Sequence, residues 1–379
     1  MEKTDFLIIG CGLYGSVLAE RITNILKKKV IILEKRDHIA GNIYSHEDPY
    51  TGIEYHKYGS HIFHTSHDIV WKYISQFTTF NSYRHQSLAK YKNKIYQLPI
   101  NLETINSFFG KNFSPDQAKN HLNKITKKYK NDINYNFESK ALSQIGKDLY
   151  EAFIKNYTKK QWGKDPIHLP GTIFNRLPLR FNYDETYQKN SRWSGVPEEG
   201  YTNFIKKLLE NKKIDVKLNK NLNLKNNNYK VKYFTIYTGP LDKIFDFQHG
   251  KLDWRSLRFE KKIVNTEDFQ GNSVINFPEL KYKYTRIHEP KHLHPERTYY
   301  KKNKSIIIKE YPVRNNDEPY YPINDVQNRE KQKKYALTAS KLNNFLFGGR
   351  LANYAYYDMD MTILAALTLF KKINRLTGK

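Results

Sequence analysis

The first 45 residues alternate in a way that specifies a β-α-β unit. Residues 5–9 form a short apolar run, and a helical stretch over 16–26 puts Leu18, Ile22, Ile25 and Leu26 on one face. The next run, Val30-Ile31-Ile32-Leu33, is apolar at every position, as expected of a parallel strand covered on both sides. Between the first strand and the helix lies Gly10-x-Gly12-x-x-Gly15. A right-handed crossover places that turn at the carboxyl edge of the sheet.

Beyond residue 68 the pattern becomes mostly helical as far as 158, with breaks at Leu98-Pro99, Phe109-Gly110 and Ser114-Pro115. Ser114-Pro115-Asp116-Gln117 predicts a helix start with Pro at its first position. Leu142, Ile145, Leu149, Phe153 and Ile154 keep helical spacing through 142–157. Residues 163–187 carry Pro166, Pro170, Gly171 and Pro178 and read as a loop able to close over a ligand. Short runs at 231–237, 273–277 and 305–311 fit an antiparallel sheet. An apolar strand at 344–347, then Gly348-Gly349-Arg350 and a helix over 360–376, end the chain.

The glycine turn gains specificity from its surroundings. A strand precedes it, a helix follows, and Glu34 ends the second strand. Gly10 permits the tight turn, Gly12 the approach of a pyrophosphate, and Gly15 close helix-strand packing. Leu13 and Tyr14 open the helix, whose free amides and partial positive charge face the phosphates. Glu34 can accept from ribose hydroxyls and would repel a 2′-phosphate. The continuation Glu34-Lys35-Arg36-x-His38-x-Ala40-Gly41-Asn42 is similar to that of FAD proteins, with Ala40 where glycine is usual. The late Gly348-Gly349-Arg350 fits a chain that returns to a flavin, and no second Gly-x-Gly-x-x-Gly marks a nicotinamide site. The expected cofactor is FAD.

Composition narrows the setting. The 379 residues suit two or three domains, and 39% hydrophobic content supports ordinary cores. No run approaches the roughly 20 apolar residues of a membrane span. The start lacks the basic region and cleavage site of a signal peptide, and the lone Cys11 fits a reducing compartment. A cytoplasmic protein without membrane insertion is expected. The net charge of +26 favours anionic partners, and 30 tyrosines could stack on bases. The lysines are nevertheless scattered in short groups at 27–29, 124–130, 301–304 and 331–334. They read as solvated faces, so no nucleic acid partner is expected.

His56-Lys57-Tyr58-Gly59-Ser60-His61-Ile62-Phe63-His64-Thr65 resembles a segment of the bacterial UDP-galactopyranose mutases. The resemblance recurs at 156–163, at Asn175-Arg176-Leu177-Pro178-Leu179-Arg180-Phe181, at 196–202, at 237–240, 269–272 and 284–287, at 317–322, and at 348–359. It implies an α/β fold class. A Rossmann-type FAD-binding domain would be discontinuous (1–75, 236–254, 336–379), joined to a helical domain (76–165) and an antiparallel β-sheet domain (166–235, 255–335). It also implies a homodimer and a redox-neutral interconversion of UDP-galactopyranose and UDP-galactofuranose. In that chemistry N5 of the reduced FAD attacks the anomeric carbon, UDP leaves, and the flavin-bound sugar reopens and recloses its ring. The product supplies furanose units for surface polysaccharide. UDP-N-acetylgalactosamine is an alternative substrate, and the small Ser60 would leave room near the sugar.

The resemblance assigns roles residue by residue. Arg176 and Arg286 would grip the departing diphosphate, as always-charged bidentate guanidinium groups suit that task. Tyr187, Tyr321 and Tyr356 would donate hydroxyls to phosphate, and Tyr157 and Trp162 would offer flat faces to uracil or sugar. Asn276 and Asp358 would complete the substrate contacts. The cofactor would touch Gly10, Gly12, Leu13, Tyr14, Gly15, Glu34, Lys35, Asn42, Ile62, Gly239, Arg350, Tyr356, Asp358 and Met359. His61 and His64 would lie by the isoalloxazine, a nearby donor there stabilising the anionic reduced flavin. No acidic or cysteine pattern accompanies them with His56 and His67, so no metal site is expected. Two other classes compete: a conventional FAD oxidoreductase, which would oxidise its substrate, and a nucleic-acid-binding protein, whose binding would fall with salt and ignore flavin.

Overall fold

A computed structural model describes residues 1–130, 136–186, 191–222, 228–299, 303–314 and 318–377, the side chain of Arg176 excepted. One sheet has five parallel strands in the order Phe345–Phe347, Tyr229–Tyr237, Glu2–Ile9, Val30–Leu33 and Ile214–Lys217. Side chains alternate across it. Phe6, Ile8, Val30 and Ile32 pack against the helices Leu13–Asn24, Tyr201–Leu208 and Met359–Thr377. Leu7, Ile9, Ile31 and Leu33 enter a smaller cluster with Tyr237 and Ala352 on the other face. Both faces are therefore buried, which is why 30–33 is apolar throughout.

A second sheet runs Tyr321–Pro322, Trp254–Val264, Ser305–Arg314, Arg286–His288, Val274–Asn276, Ser87–Tyr91 and Lys94–Leu98. It is antiparallel except where Val274–Asn276 runs parallel beside Ser87–Tyr91. A helical layer follows, with Leu102–Phe109, Pro115–Thr126 and Phe137–Leu149. Ser114 and Gln117 exchange side-chain-to-backbone bonds at the start of Pro115–Thr126, the capping box that the sequence announces.

The strand assignments depart from expectation in two places. Residues 231–237 belong to the parallel sheet, not to an antiparallel one, as does Ile214–Lys217. The first half of Tyr229–Tyr237 is only half covered and so alternates like a one-sided strand, while its end is buried on both faces. The mostly helical stretch from 68 also contains Ser87–Tyr91 and Lys94–Leu98, which join the large sheet. Lys92 and Asn93, both at positive φ (47° and 63°), make a two-residue hairpin turn without glycine, so its signal was weak.

The helix read at 142–157 is not uniform. Gly146 breaks it at φ 75°, and Tyr150–Lys155 widens into a π-helix before Asn156–Trp162. Residues 163–187 contain the 3-10 turns Pro166–His168 and Gly171–Arg176. Among the described residues, no helix is long and apolar enough to cross a membrane.

Candidate active site

The glycine turn forms a cradle in which side chains have no room. Gly10 sits at φ +108°, and a Cβ there would lie 2.2 Å from Thr238 Oγ1; one on Gly15 would lie 2.2 Å from the Gly10 carbonyl oxygen. Gly12 caps Leu13–Asn24 with no side-chain hydrogen bond and no acidic residue in the first turn, so the helix amides stay open to an anion. Leu13 and Tyr14 are buried in that first turn. Glu34 is buried at the end of its strand, its carboxylate accepting from the backbone N–H of Cys11 (2.8 Å) and of Arg36 (3.0 Å). Those bonds fix it while leaving lone pairs for ribose hydroxyls. The residues present thus fit a dinucleotide.

Ala40 takes the left-handed conformation, φ 72°, that the usual glycine would favour, so its substitution leaves the second turn intact. Asn42 accepts from Arg36 Nη2 at 2.8 Å, whereas Lys35 forms an outward ion pair with Glu318 at 2.9 Å. Thr238-Gly239 follows the strand beside Gly10, with the Thr238 amide donating to Ile9 at 3.0 Å. Gly348 and Gly349 lie against the Tyr14 ring, which brings the end of the chain back to the turn.

From there the chain runs on to Tyr356 in the wall of a cavity of about 550 Å³, with Arg350 beside that ring. Its guanidinium donates to the Tyr357 carbonyl (3.1 Å) and stands 5.5 Å from the Tyr356 ring centre. Tyr356 stacks on Tyr321 with centroids 5.4 Å apart. Ile62, His64, Tyr157, Trp162, Asn276, Arg286, Tyr356 and Asp358 line this one space. Met359 begins the final helix directly after Asp358. Arg176 closes the 3-10 turn between the cavity-lining Asn175 and Leu177, its side chain lying outside the described part. Tyr187 falls outside the described residues.

The π-helical segment explains how one stretch supplies so much of the wall. Phe153, Ile154, Tyr157, Thr158, Gln161 and Trp162 all face the cavity. The wider turn carries the lining face across from one helix to the next, a common use of π segments at functional sites.

Arg286 is held from three sides. Its Nε donates to Asn276 Oδ1 (3.1 Å), Nη1 stands 3.6 Å from Glu310 Oε2, and the guanidinium lies 5.8 Å from the Tyr157 ring centre. Asn276 in turn donates to Ser87 (3.0 Å) and to the Leu88 carbonyl (2.8 Å), so it acts here as a brace for Arg286. Burial alone would raise the Glu310 carboxyl, but Arg286 and a hydrogen bond from His288 hold it down to about 2. A charged guanidinium fixed at a cavity wall can neutralise a phosphate without reorganising.

The histidine pair separates in role. His64 lines the cavity and contacts Ser191 at 3.2 Å. Burial, aided by nearby Arg350, pushes the His61 ring down to about 4, and its Nδ1 donates to the Gly59 carbonyl at 2.6 Å. The neutral ring therefore presents an acceptor at Nε2, where a donor was expected. Among the described residues, one carboxylate-histidine group is tight enough for a cation, Asp268, Glu289 and His292, and it is not part of the cavity wall.

Several residues of the site escaped the sequence reading. His85, pushed down to about 4 by burial and by the charges of Arg286 and His288, lines the cavity. So do His288 and Ser87. The signal for His288 was its place two residues after Arg286 in a strand, hence on the same face. Lys160 was also missed. Its ammonium donates to the carbonyls of Phe277, Glu279, Tyr282 and Tyr284, tying Asn156–Trp162 to the turn before Arg286.

Comparison with known proteins places this geometry. The sequence profile of the UDP-galactopyranose mutase family matches residues 152–356, and that of an NAD(P)-binding Rossmann-like domain matches residues 8–77. A probable UDP-galactopyranose mutase of Klebsiella pneumoniae is 39% identical over 97% of this chain and 94% of that protein. The chain belongs to the UDP-galactopyranose mutase family. As a member it is an isomerase that interconverts pyranose and furanose forms. A dTDP-fucopyranose mutase of Escherichia coli is 36% identical over 95% of this chain and 96% of that protein. The fold is shared with the crystal structure of a reduced UDP-galactopyranose mutase, 15% identical, with a TM-score of 0.74 over 100% of this chain and 95% of that one.

Proposed function

We propose that this enzyme interconverts UDP-galactopyranose and UDP-galactofuranose with reduced FAD bound along the glycine turn. The observation that carries this reading is the braced Arg286, which shares its cavity wall with Tyr157, Trp162 and Tyr356. When bound, the reduced flavin would supply an electron-rich N5 that bonds to the anomeric carbon as UDP departs. The residues of this chain do the rest. Gly10, Gly12, Gly15 and the helix they open hold the pyrophosphate, Glu34 orients the ribose, and Arg350 with Gly348-Gly349 joins cofactor cleft to cavity. Arg286, with Arg176 as its partner, stabilises charge on the leaving diphosphate. Tyr157 and Trp162 stack on the uridine end, and Tyr187, Tyr321 and Tyr356 donate to phosphate.

The same reading makes the protein a cytoplasmic homodimer that feeds furanose units into surface polysaccharide. A second substrate is favoured by the Escherichia coli relative, a dTDP-fucopyranose mutase of nearly the same length. UDP-N-acetylgalactosamine is a third, with Ser60 as the small residue at the cavity wall. In the test, purified protein is reduced with dithionite and incubated with UDP-galactofuranose and, separately, with the dTDP-fucofuranose and UDP-N-acetylgalactosamine counterparts. Conversion of the UDP-galactose pair by reduced but not oxidised protein is expected. No conversion of it with a reduced, bound flavin overturns the proposal.

A further inference from the structure

Ser60, His288 and Glu310 form a hydrogen-bonded chain in the cavity wall. Ser60 Oγ lies 2.9 Å from His288 Nδ1, and His288 Nε2 lies 3.0 Å from Glu310 Oε2. Ser60 and His288 line the cavity beside Arg286, Tyr356 and Asp358, while Glu310 is 1% exposed behind them. Strand geometry assembles the chain. Arg286 and His288, two apart, share a face of Arg286–His288, and Glu310 sits opposite Arg286 on the neighbouring strand. One carboxylate therefore serves both. Gly59, at φ +94°, lets the Tyr58-to-His61 loop pass close to that strand: a Cβ there would lie 3.0 Å from the Phe259 ring and 4.0 Å from Glu310 Oε2.

Proton positions follow from the buried end. An ionised Glu310 only accepts, so His288 Nε2 carries a hydrogen in either charge state. With His288 neutral, Ser60 donates to Nδ1. With His288 charged, Nδ1 donates to Ser60, whose own hydrogen is released toward the cavity. The chain can thus hold one proton and hand it on, with the polarity of a serine-histidine-carboxylate relay.

Pyranose-furanose interconversion needs such a carrier. The C1–O5 bond breaks and a C1–O4 bond forms, O5 gains a proton and O4 loses one, and no electrons leave the sugar. We propose that Ser60 and His288 carry that proton and that Glu310 is a positioning residue which keeps His288 oriented. On opening, the bond pair goes to O5, which takes the Ser60 hydrogen as Ser60 takes the one on Nδ1. On closure, O4 donates its pair to C1 and its proton to Ser60, and the serine's own returns to Nδ1. C1 is held meanwhile by the nucleophile proposed above, on which this inference rests.

The test uses reduced holoenzyme with UDP-galactofuranose and the variants Ser60→Ala, Ser60→Thr and His288→Asn. Ser60→Ala is expected to lower kcat about 100-fold with KM unchanged, the scale of one proton-transfer group. Ser60→Thr, which keeps the hydroxyl, is expected to retain most activity. The second readout is scrambling of 18O from the bridge between C1 and phosphorus, which needs only departure and return of UDP. It should persist in Ser60→Ala and His288→Asn while conversion falls. Wild-type kcat in Ser60→Ala, or scrambling that falls in step with conversion, overturns the relay. Should Ser60→Ala fail to fold, His288→Asn decides by the same split. Absence of conversion by the wild-type enzyme refutes the proposed function instead.

Discussion

Arg286 and Glu310 face each other across two antiparallel strands, Nη1 standing 3.6 Å from Oε2, and the carboxylate is almost wholly buried. The arginine that would meet substrate phosphate is thus held in place by the sheet, with its counter-ion locked on the dry side. Pairing a buried carboxylate this way costs desolvation, and losing either partner leaves the other uncompensated.

Glu310→Gln keeps the shape and removes the charge. It is expected to destabilise the fold by on the order of 3 kcal/mol at neutral pH, read by urea unfolding. The folded carboxyl lies at about 2, below its unfolded value near 4.5. Its contribution is therefore present above about pH 4.5 and lost as pH falls through about 2. Wild type and variant should converge in stability across that window, and a constant difference would refute this origin.

Arg286→Lys retains a positive charge but loses the planar fork. The expected result is roughly a 100-fold fall in kcat/KM, with weaker UDP binding by titration calorimetry. Activity within a factor of a few of wild type would show that the fork does not meet phosphate.

Lys160→Met removes the donor shared by four backbone carbonyls. Orphaned buried acceptors cost about 1–3 kcal/mol each when no water replaces the donor, and partial hydration should keep the total near the size of one such loss. Because the lysine ties the helix of Tyr157 to the turn before Arg286, KM for the nucleotide sugar should rise along with the fall in melting temperature. A stability loss with unchanged KM would limit Lys160 to a role in folding.

Gly15→Ala forces a methyl group against the Gly10 carbonyl, 2.2 Å from the ideal Cβ. The variant is expected to purify without the yellow flavin absorbance and to gain no thermal stability from added FAD. Wild-type flavin content would place the cofactor elsewhere.

The sequence announced what depends on local chemistry. The strand-glycine-helix turn, Glu34, the box at Ser114 and the final helix each carry their signal within a few residues. Tyr157, Trp162, Asn276, Arg286, Tyr356 and Asp358 were named from motif resemblance, and one cavity gathers all six. What stayed hidden depends on register between distant strands. Glu310 reads as one of a pair of adjacent charges, Lys309-Glu310, after an apolar run, and nothing near it in sequence reveals that it will sit opposite Arg286. Lys160 is one lysine among many until four carbonyls close around it. The strand at 231–237 was misassigned because partial exposure of its first half imitates the alternation of a one-sided sheet.

The π-helical stretch Tyr150–Lys155 has a consequence for how this architecture can change. Each residue added to or removed from a regular helix turns everything downstream by about 100°. Regularising this stretch at unchanged length would swing Tyr157 and Trp162 out of the wall together, while the preceding helix kept its packing; deleting one residue as well would bring them back. The extra width works as an angular offset, so sequence length and helix type here can change only together.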